Sequence, residues 1–310
     1  MADQRCAVVA VLGAPNAGKS TLVNTLVGAK VAAVTQKVQT TRTIVRGIAM
    51  RGDVQLVLID TPGVFAPRRR LDRAMVAAAW NALEGADAII HVVDAPAHAP
   101  GEKKSAADAR AVEDSARIAA RLKQMELSSI LVLNKIDAIA RPALLEIASK
   151  LVEQGLYTDV FMISASKGDG VEDIARTLVE RAPVSPWLFP EEQTMDAPAR
   201  VLAAEITREK AMLRLHDEIP YELMVETESW DEKKDGSARI EQTIFVAREG
   251  QRKIAIGAGG QTIKTIGEMA RKEMEAAFDR RIHLFLHVKL REGWTEERSL
   301  YQRLGLNYEA

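Results

Sequence analysis

The run Gly13-Ala14-Pro15-Asn16-Ala17-Gly18-Lys19-Ser20 has the residue types and spacing to hold a chain of phosphates. It fits G-x-x-x-x-G-K-[ST], a pattern that carries this chemistry when it follows a strand and opens a helix. The apolar stretch Ala7–Leu12 precedes it and the amphipathic stretch Ser20–Val27 follows, so both flanks are right. Glycines let backbone N–H groups turn inward around phosphate oxygens, and the helix start adds the positive end of its dipole. Lys19 supplies a point charge for the terminal phosphates. The Ser20 hydroxyl can ligate Mg²⁺, with Thr21 next to it in the first turn.

Three more clusters sit where apolar runs end. Asp60-Thr61-Pro62-Gly63-Val64 closes the run Val54–Ile59. There Asp60 can hold Mg²⁺ through water, and the Gly63 amide can meet a γ-phosphate and release it after hydrolysis. Asn134-Lys135-Ile136-Asp137 closes Ile130–Leu133. The Asp137 carboxylate can accept from both N1–H and the 2-amino group of guanine, while the Lys135 stem covers the base plane. Adenine offers neither donor and would leave a desolvated carboxylate unpaired. Charged hydrogen bonds contribute about 1.5–3 kcal/mol each, enough to choose guanine over adenine. Ser164-Ala165-Ser166 closes Val160–Ile163, and its backbone amides can meet the guanine carbonyl. Thr40-Thr41-Arg42 lies between the first helix and the next strand. One of the two threonines should reach Mg²⁺ when GTP is bound, with Thr41 preferred. The groups expected to act on the γ-phosphate are therefore Lys19, Thr41 and Gly63, and the expected Mg²⁺ set is Ser20, Thr41 and Asp60.

A second kind of chemistry is suggested by Ile256-Gly257-Ala258-Gly259-Gly260-Gln261-Thr262-Ile263-Lys264. Gly257 to Gly260 fits the G-x-x-G of a KH module, whose loop clamps a sugar–phosphate chain beside an apolar groove. Ile254, Ile256 and Ile263 are the groove candidates, and Arg252, Lys253 and Lys264 are the nearby cations. On its own the motif is no more telling than a loose helical turn. Charge favours the RNA reading: residues 186–310 hold 19 Lys/Arg against 23 Asp/Glu, yet residues 248–291 hold ten basic residues against five acidic ones. The middle of the loop, Ala258-Gly259, carries no basic side chain, which leaves phosphate contact to the backbone.

Elements must place these motifs. The five apolar runs read as strands, and 20–27, 71–83, 109–125, 144–154 and 171–182 read as helices between them. Strand–helix alternation predicts a mostly parallel sheet with helices on both faces. The stretch 96–107 reads as an irregular, exposed insertion. Pro183, Pro186, Pro190 and Pro198 fall within sixteen residues and mark a linker. Beyond it, 201–215 reads as a helix, 221–230 and 239–248 as strands, 261–278 as a helix and 282–289 as a strand. Ile240, Thr243, Phe245 and Leu284, Leu286, Val288 read as the buried face of this small sheet. The expected division is 1–185 for an α/β nucleotide-binding domain, 186–198 for the linker and 199–310 for a small α+β domain.

Bulk properties set limits. In 310 residues, 47% hydrophobic and 27% charged, there is room for two ordinary cores. A net charge of −1 gives no overall pull toward nucleic acid or membrane, so an RNA site must come from local patterning. The single cysteine, Cys6, excludes an internal disulfide. No signal peptide is expected from the polar start, and no run nears ~18 uninterrupted apolar residues, the length of a membrane span.

Together GAPNAGKS, QTTR, DTPG, NKID and SAS resemble the translation-factor class of P-loop GTPases. QTTR is similar to its Era-type subgroup, which joins one GTPase domain to one KH domain. The order of elements around the glycine loop resembles the bacterial, type II KH form. This resemblance implies GTP hydrolysis to GDP with Mg²⁺, binding near the 3′ end of 16S rRNA, and a role in assembly of the 30S ribosomal subunit. It implies a monomer in the cytoplasm, and leaves open peripheral contact with the inner face of the cell membrane. It also implies K⁺ held partly by Asn16. Val64 stands where Ras-like relatives have a catalytic glutamine, which implies slow intrinsic turnover. Two alternatives remain at this point. The C-terminal part could be a protein- or membrane-docking module without an RNA role, or the chain could be a P-loop kinase, which NKID disfavours.

Overall fold

A computed structural model describes residues 4–35, 41–100, 104–153, 156–215 and 219–310. Thr40 therefore lies outside the described residues, as do Gly101–Lys103 of the expected insertion. In chain order the first part contains β1 (Arg5–Gly13), α1 (Lys19–Val27), β2 (Val45–Arg51), β3 (Val54–Asp60), α2 (Arg70–Asn81) and β4 (Ala88–Asp94). It continues with α3 (Ala95–His98), α4 (Ala106–Gln124), β5 (Ser129–Asn134), α5 (Arg141–Val152), β6 (Tyr157–Met162) and α6 (Val171–Arg181). The six strands form one sheet in the order β2-β3-β1-β4-β5-β6, with every pairing parallel except β2 with β3.

The apolar runs explain the layering. Every residue of β3 and of β5 is buried, as a strand covered on both faces requires. One side packs Val9, Val11, Leu56, Leu58, Val92 and Val132 against α1 and α6. The other packs Ala10, Leu12 and Ile89 against α2 and α4. Because β1, β3, β4 and β5 run parallel, their carboxyl ends lie along one edge, and the motifs at those ends are brought together.

Strand β2 is a difference from the sequence reading. Its pattern, VRGIAMR, is broken by Gly47, and the reason is packing: a Cβ there would approach Val27 Cγ2 to 2.7 Å. The stretch 96–107 is also more ordered than expected at its ends. It begins within α3, and Ser105 caps α4 by accepting from the Asp108 amide.

The proline-rich stretch contains no named helix or strand through Asp196, but it is tied down. The buried Gln55 side chain accepts from the amides of Leu188 and Phe189 and donates to Phe189 O. The Ile48 amide donates to Thr194 O, and the Asp196 amide to Arg46 O. Contacts accordingly divide the described chain into one unit of 4–32, 41–196 and 301–310, and another of 33–35 and 197–300. The tail 301–310, which the sequence reading assigned to the C-terminal domain, clusters with the first unit: the Arg70 guanidinium lies 4.5 Å over the Tyr308 ring.

The second unit contains α7 (Ala199–Arg214), β7 (Leu223–Glu232), β8 (Ala238–Val246), α8 (Glu249–Ile256), α9 (Gln261–Phe278) and β9 (Ile282–Leu290). A short helix, α10 (Arg298–Arg303), follows. The sheet order is β7-β8-β9, antiparallel then parallel. Ile240, Ile244 and Val246 lie on its buried face, whereas Phe245 points the other way, under the Arg291 guanidinium at 5.3 Å. The expected grouping of Thr243 and Phe245 with Ile240 is thus corrected: they stand three and five positions beyond it along β8, and odd steps place residues on the opposite face. Among the described residues no helix is long and apolar enough to cross a membrane.

His91 of β4 is fully buried between the Tyr157 hydroxyl (2.8 Å from Nδ1) and the Ser115 hydroxyl (3.3 Å from Nε2). Burial, reinforced by the charges of His98 and Lys19, lowers its pKa to about 3. The unfolded chain takes up a proton below about pH 6.5 that the folded chain refuses, so stability falls as pH drops through that window. Urea unfolding at pH 7 and pH 5 should show His91 contributing about 2 kcal/mol of loss. The pH dependence should be correspondingly smaller in His91→Gln; an unchanged dependence would show that His91 is not the group responsible.

Candidate functional site

The phosphate motif forms the turn between β1 and α1. Asn16 (φ 63°) and Gly18 (φ 100°) adopt left-handed backbone, which wraps the loop. No side chain among the described residues caps α1, and the amides of an uncapped first turn suit an anion. Gly13 and Ala14 present carbonyls to the buried Lys19 ammonium at 3.1 and 3.0 Å. Burial lowers the Lys19 pKa to about 8, although Asp60 opposes the shift. Ala14 and Ala17 are buried, and Pro15 meets Gly63 so closely that a Cβ on Gly63 would fall 2.9 Å from the Pro15 backbone.

Three oxygens meet beside Lys19. Ser20 Oγ donates to Asp60 Oδ2 at 2.6 Å, and Thr41 Oγ1 lies 3.0 Å from Ser20 Oγ and 3.4 Å from the same carboxylate oxygen. Burial raises the Asp60 pKa to about 6, against the pull of Ser20, Lys19 and Thr41. The second carboxylate oxygen, Oδ1, is buried without a hydrogen-bond partner among the described residues. A buried anionic oxygen beside two hydroxyls fits a hard divalent cation that keeps part of its shell for water and phosphate. No cluster of three or more His, Cys, Asp or Glu side chains among the described residues offers a competing metal cage.

The segment after Asp60 is fastened to the sheet rather than open. The Thr61 hydroxyl donates to Val11 O at 2.7 Å, and the Val64 amide donates to Gly13 O at 3.1 Å. The Val64 side chain is buried with Leu12 and Trp80. Of the residues expected to touch nucleotide here, Thr61 and Val64 have their side chains committed to the protein. Gly63, pressed against Pro15 and flanked by Pro62, stands at the loop.

The base-side motifs are joined by Asn134. Its Nδ2 donates to Ala17 O at 2.8 Å and its Oδ1 accepts from the Ala165 amide at 3.0 Å. One side chain thus braces the phosphate loop against the Ser164–Ser166 turn, so closely that a Cβ on Gly18 would overlap its amide. The Ala165 amide is engaged by Asn134, and the Ser164 amide by Asp169 O at 3.0 Å, so two of the three amides expected at the guanine carbonyl have protein acceptors. The Ser164 and Ser166 hydroxyls lie 3.4 Å apart. Asp137 is exposed, and the Ser164 hydroxyl holds its carboxyl below the usual range with help from Lys167, whose ammonium is 3.4 Å away. Ile136 is held by its amide to Ile163 O at 3.1 Å. Lys135 has left-handed backbone (φ 66°), and its ammonium reaches Asp94 at 2.5 Å. Sequence reasoning did not single out Asp94 or Lys167. Asp94 could have been found, since it too ends a parallel strand.

In the second unit the glycine loop links α8 to α9, and Gly257, Gly259 and Gly260 all have positive φ. Gly257 is packed on Thr262, whereas a Cβ on Gly259 or Gly260 would meet nothing within 4 Å, so those two face open space. A groove of about 300 Å³ lies alongside, lined by Ile263, Lys264, Gly267, Glu268, Arg271, Leu284 and Leu286. Of the expected groove residues Ile263 lines it, and the expected cation Lys264 lines it too. Ile254 is 55% exposed, and neither it nor Ile256 lines the groove. The far wall was missed because Leu284 and Leu286 read only as sheet core. Its helical side repeats at i, i+4 from Ile263 through Gly267 to Arg271.

Ion pairs thin the local positive excess. Arg248, Arg252, Arg271, Arg280, Lys289 and Arg291 each pair with a glutamate. Lys253 and Lys264 flank the loop with no ion pair among the described residues, which leaves positive charge where Ala258-Gly259 supplies none.

Comparison with known proteins matches these two sites to two family models: "50S ribosome-binding GTPase" over residues 8–135, and "KH domain" over residues 218–295. GTPase Era of Caulobacter vibrioides is 56% identical over 307 residues, covering 98% of this chain and 97% of its own. GTPase Era of Maricaulis maris is 53% identical over 308 residues, covering 99% and 98%. A crystal structure of Era in complex with MgGDPNP and nucleotides 1506–1542 of 16S ribosomal RNA superposes with a TM-score of 0.85 at 33% identity, covering 97% of this chain and 99% of that one. With a parallel α/β nucleotide fold, a type II KH fold and full-length identity above one half, the chain belongs to the Era family of GTPases.

Proposed function

We propose that this GTPase binds single-stranded RNA near the 3′ end of 16S rRNA through its KH domain, and acts in 30S subunit assembly as a GTP-controlled switch. The observation that carries the reading is the full-length likeness to an Era structure that holds both MgGDPNP and that rRNA segment. Such work belongs in the cytoplasm, with the chain acting as a monomer.

In this reading GTP lies across the carboxyl edge of the first sheet. Asp137 accepts from the guanine N1–H and amino group, and Lys135 covers the base. The loop Gly13–Ser20 surrounds the phosphates. Lys19, now held by the Gly13 and Ala14 carbonyls, turns to the β- and γ-phosphates. Ser20, Thr41 and Asp60 would hold Mg²⁺, which would supply positive charge against the phosphates. Gly63 can approach the γ-phosphate because no Cβ stands between it and Pro15. The Val64 side chain offers no hydrogen bond to water, so positioning of the attacking water falls to backbone, and Asn16 would be the group to hold K⁺. Turnover in isolation is slow, as a timer requires.

In the KH domain the open side of Gly259 and Gly260 admits the sugar–phosphate chain, Lys253 and Lys264 offset its charge, and bases enter the groove beside Gly267.

Two measurements test this. Asp137→Asn should lose most GTP affinity and gain xanthine nucleotide, which offers an acceptor where guanine has the 2-amino donor; unchanged GTP binding would remove Asp137 from the base site. Filter binding of a short single-stranded RNA should weaken about tenfold in Gly259→Asp, which adds a negative charge at a position with room for it, and likewise in Lys264→Glu. Wild-type RNA affinity in both variants would favour a docking module without an RNA role.

A further inference from the structure

Asp94 is the last residue of β4 and pairs in register with Asn134, the last residue of β5. Its carboxylate therefore stands at the same sheet edge as the NKID segment. Lys135 leaves that edge in left-handed backbone, φ 66°, a conformation that costs a side-chain-bearing residue energy. The turn does not send the lysine outward. Its ammonium comes back to Asp94 Oδ2 at 2.5 Å, with the Asp94 side chain 16% exposed and the lysine side chain 38% exposed. A single pair with its lysine this exposed adds little to folding. Its effect is on the lysine stem, whose two ends are now fixed, one by the αL turn and the other by the carboxylate.

We infer that Asp94 is a positioning residue for guanine-nucleotide binding: it anchors the Lys135 ammonium so that the lysine stem is already laid out to cover one face of the base. This rests on the assignment of Lys135 to the base site given above. A free lysine must be ordered when it closes over a base, and immobilising such a side chain weakens binding by about 3- to 10-fold. Anchoring it beforehand removes that cost. The carboxylate acts on the nucleotide only through Lys135, so its contribution vanishes when the lysine is absent.

A double-mutant cycle tests this in the full-length protein, with GDP affinity and release rate followed by a fluorescent GDP analogue. Asp94→Asn should weaken GDP binding about 3- to 10-fold, chiefly through faster release. Asp94→Glu, which keeps the charge on a longer arm, should recover part of the loss. Lys135→Ala should weaken binding at least as much, and adding Asp94→Asn to it should change nothing further. A purely structural role for Asp94 predicts instead a loss that persists in the Lys135→Ala background, and that result overturns the inference. So does wild-type or tighter binding by Asp94→Asn, which would mean that the ion pair competes with the nucleotide. If Lys135→Ala binds GDP as wild type does, the base-site assignment itself fails, and the inference fails with it.

Discussion

The nucleotide site depends on the buried side chain of Asn134. A parallel sheet brings several strand ends to one edge, but it does not fix the loops that leave those ends. Asn134 does so with two hydrogen bonds in opposite directions, to Ala17 O in the phosphate loop and from the Ala165 amide in the third loop. Its 2% exposure means both bonds are made away from water, where an unmade partner costs about 1–3 kcal/mol. The loop that holds phosphates and the loop beside the base are thus spaced by one rigid amide. Gly18 is glycine partly because that amide leaves no room for a Cβ.

Around this brace, the site separates groups that hold the protein from groups left for ligand. Thr61 and Val64 fasten the segment after β3 to β1, while Gly63 stays against Pro15. Lys19 and Asp60 are opposite charges buried side by side, and burial drives their pKa values toward each other, to about 8 and about 6. A buried cation resting on carbonyls and a buried carboxylate with one idle oxygen are both under-compensated. A phosphate and a divalent cation have the charges that would complete them.

Much of this was legible in the sequence because the motifs depend on residue types that few other roles require. The lysine and serine after Gly18, the aspartate at the end of β3 and NKID at the end of β5 were each readable from a strand end and a turn. What escaped had physical reasons. Strand β2 was hidden by Gly47, whose absent side chain serves packing on Val27 rather than strand propensity. The proline-rich stretch looked like a free linker, and nothing local reveals that Gln55, far away in sequence, binds its backbone. Phe245 was placed on the wrong face through an error of parity. In the KH groove, Leu284 and Leu286 looked like core because a groove floor and a core face have the same period. Asp94 was readable as a strand end, but its pairing with Lys135 was not, because that contact depends on the left-handed turn at Lys135.

Guanine-nucleotide binding by one braced site makes Asn134 the residue whose removal should matter most. Titration of Mg²⁺ and GDP into wild type and Asn134→Ala, with thermal unfolding of the nucleotide-free proteins alongside, separates the site from the fold. The variant should stay folded and lose about 100-fold or more in GDP affinity, since two buried groups lose their shared partner. A folded Asn134→Ala variant that binds GDP as tightly as wild type would contradict that dependence.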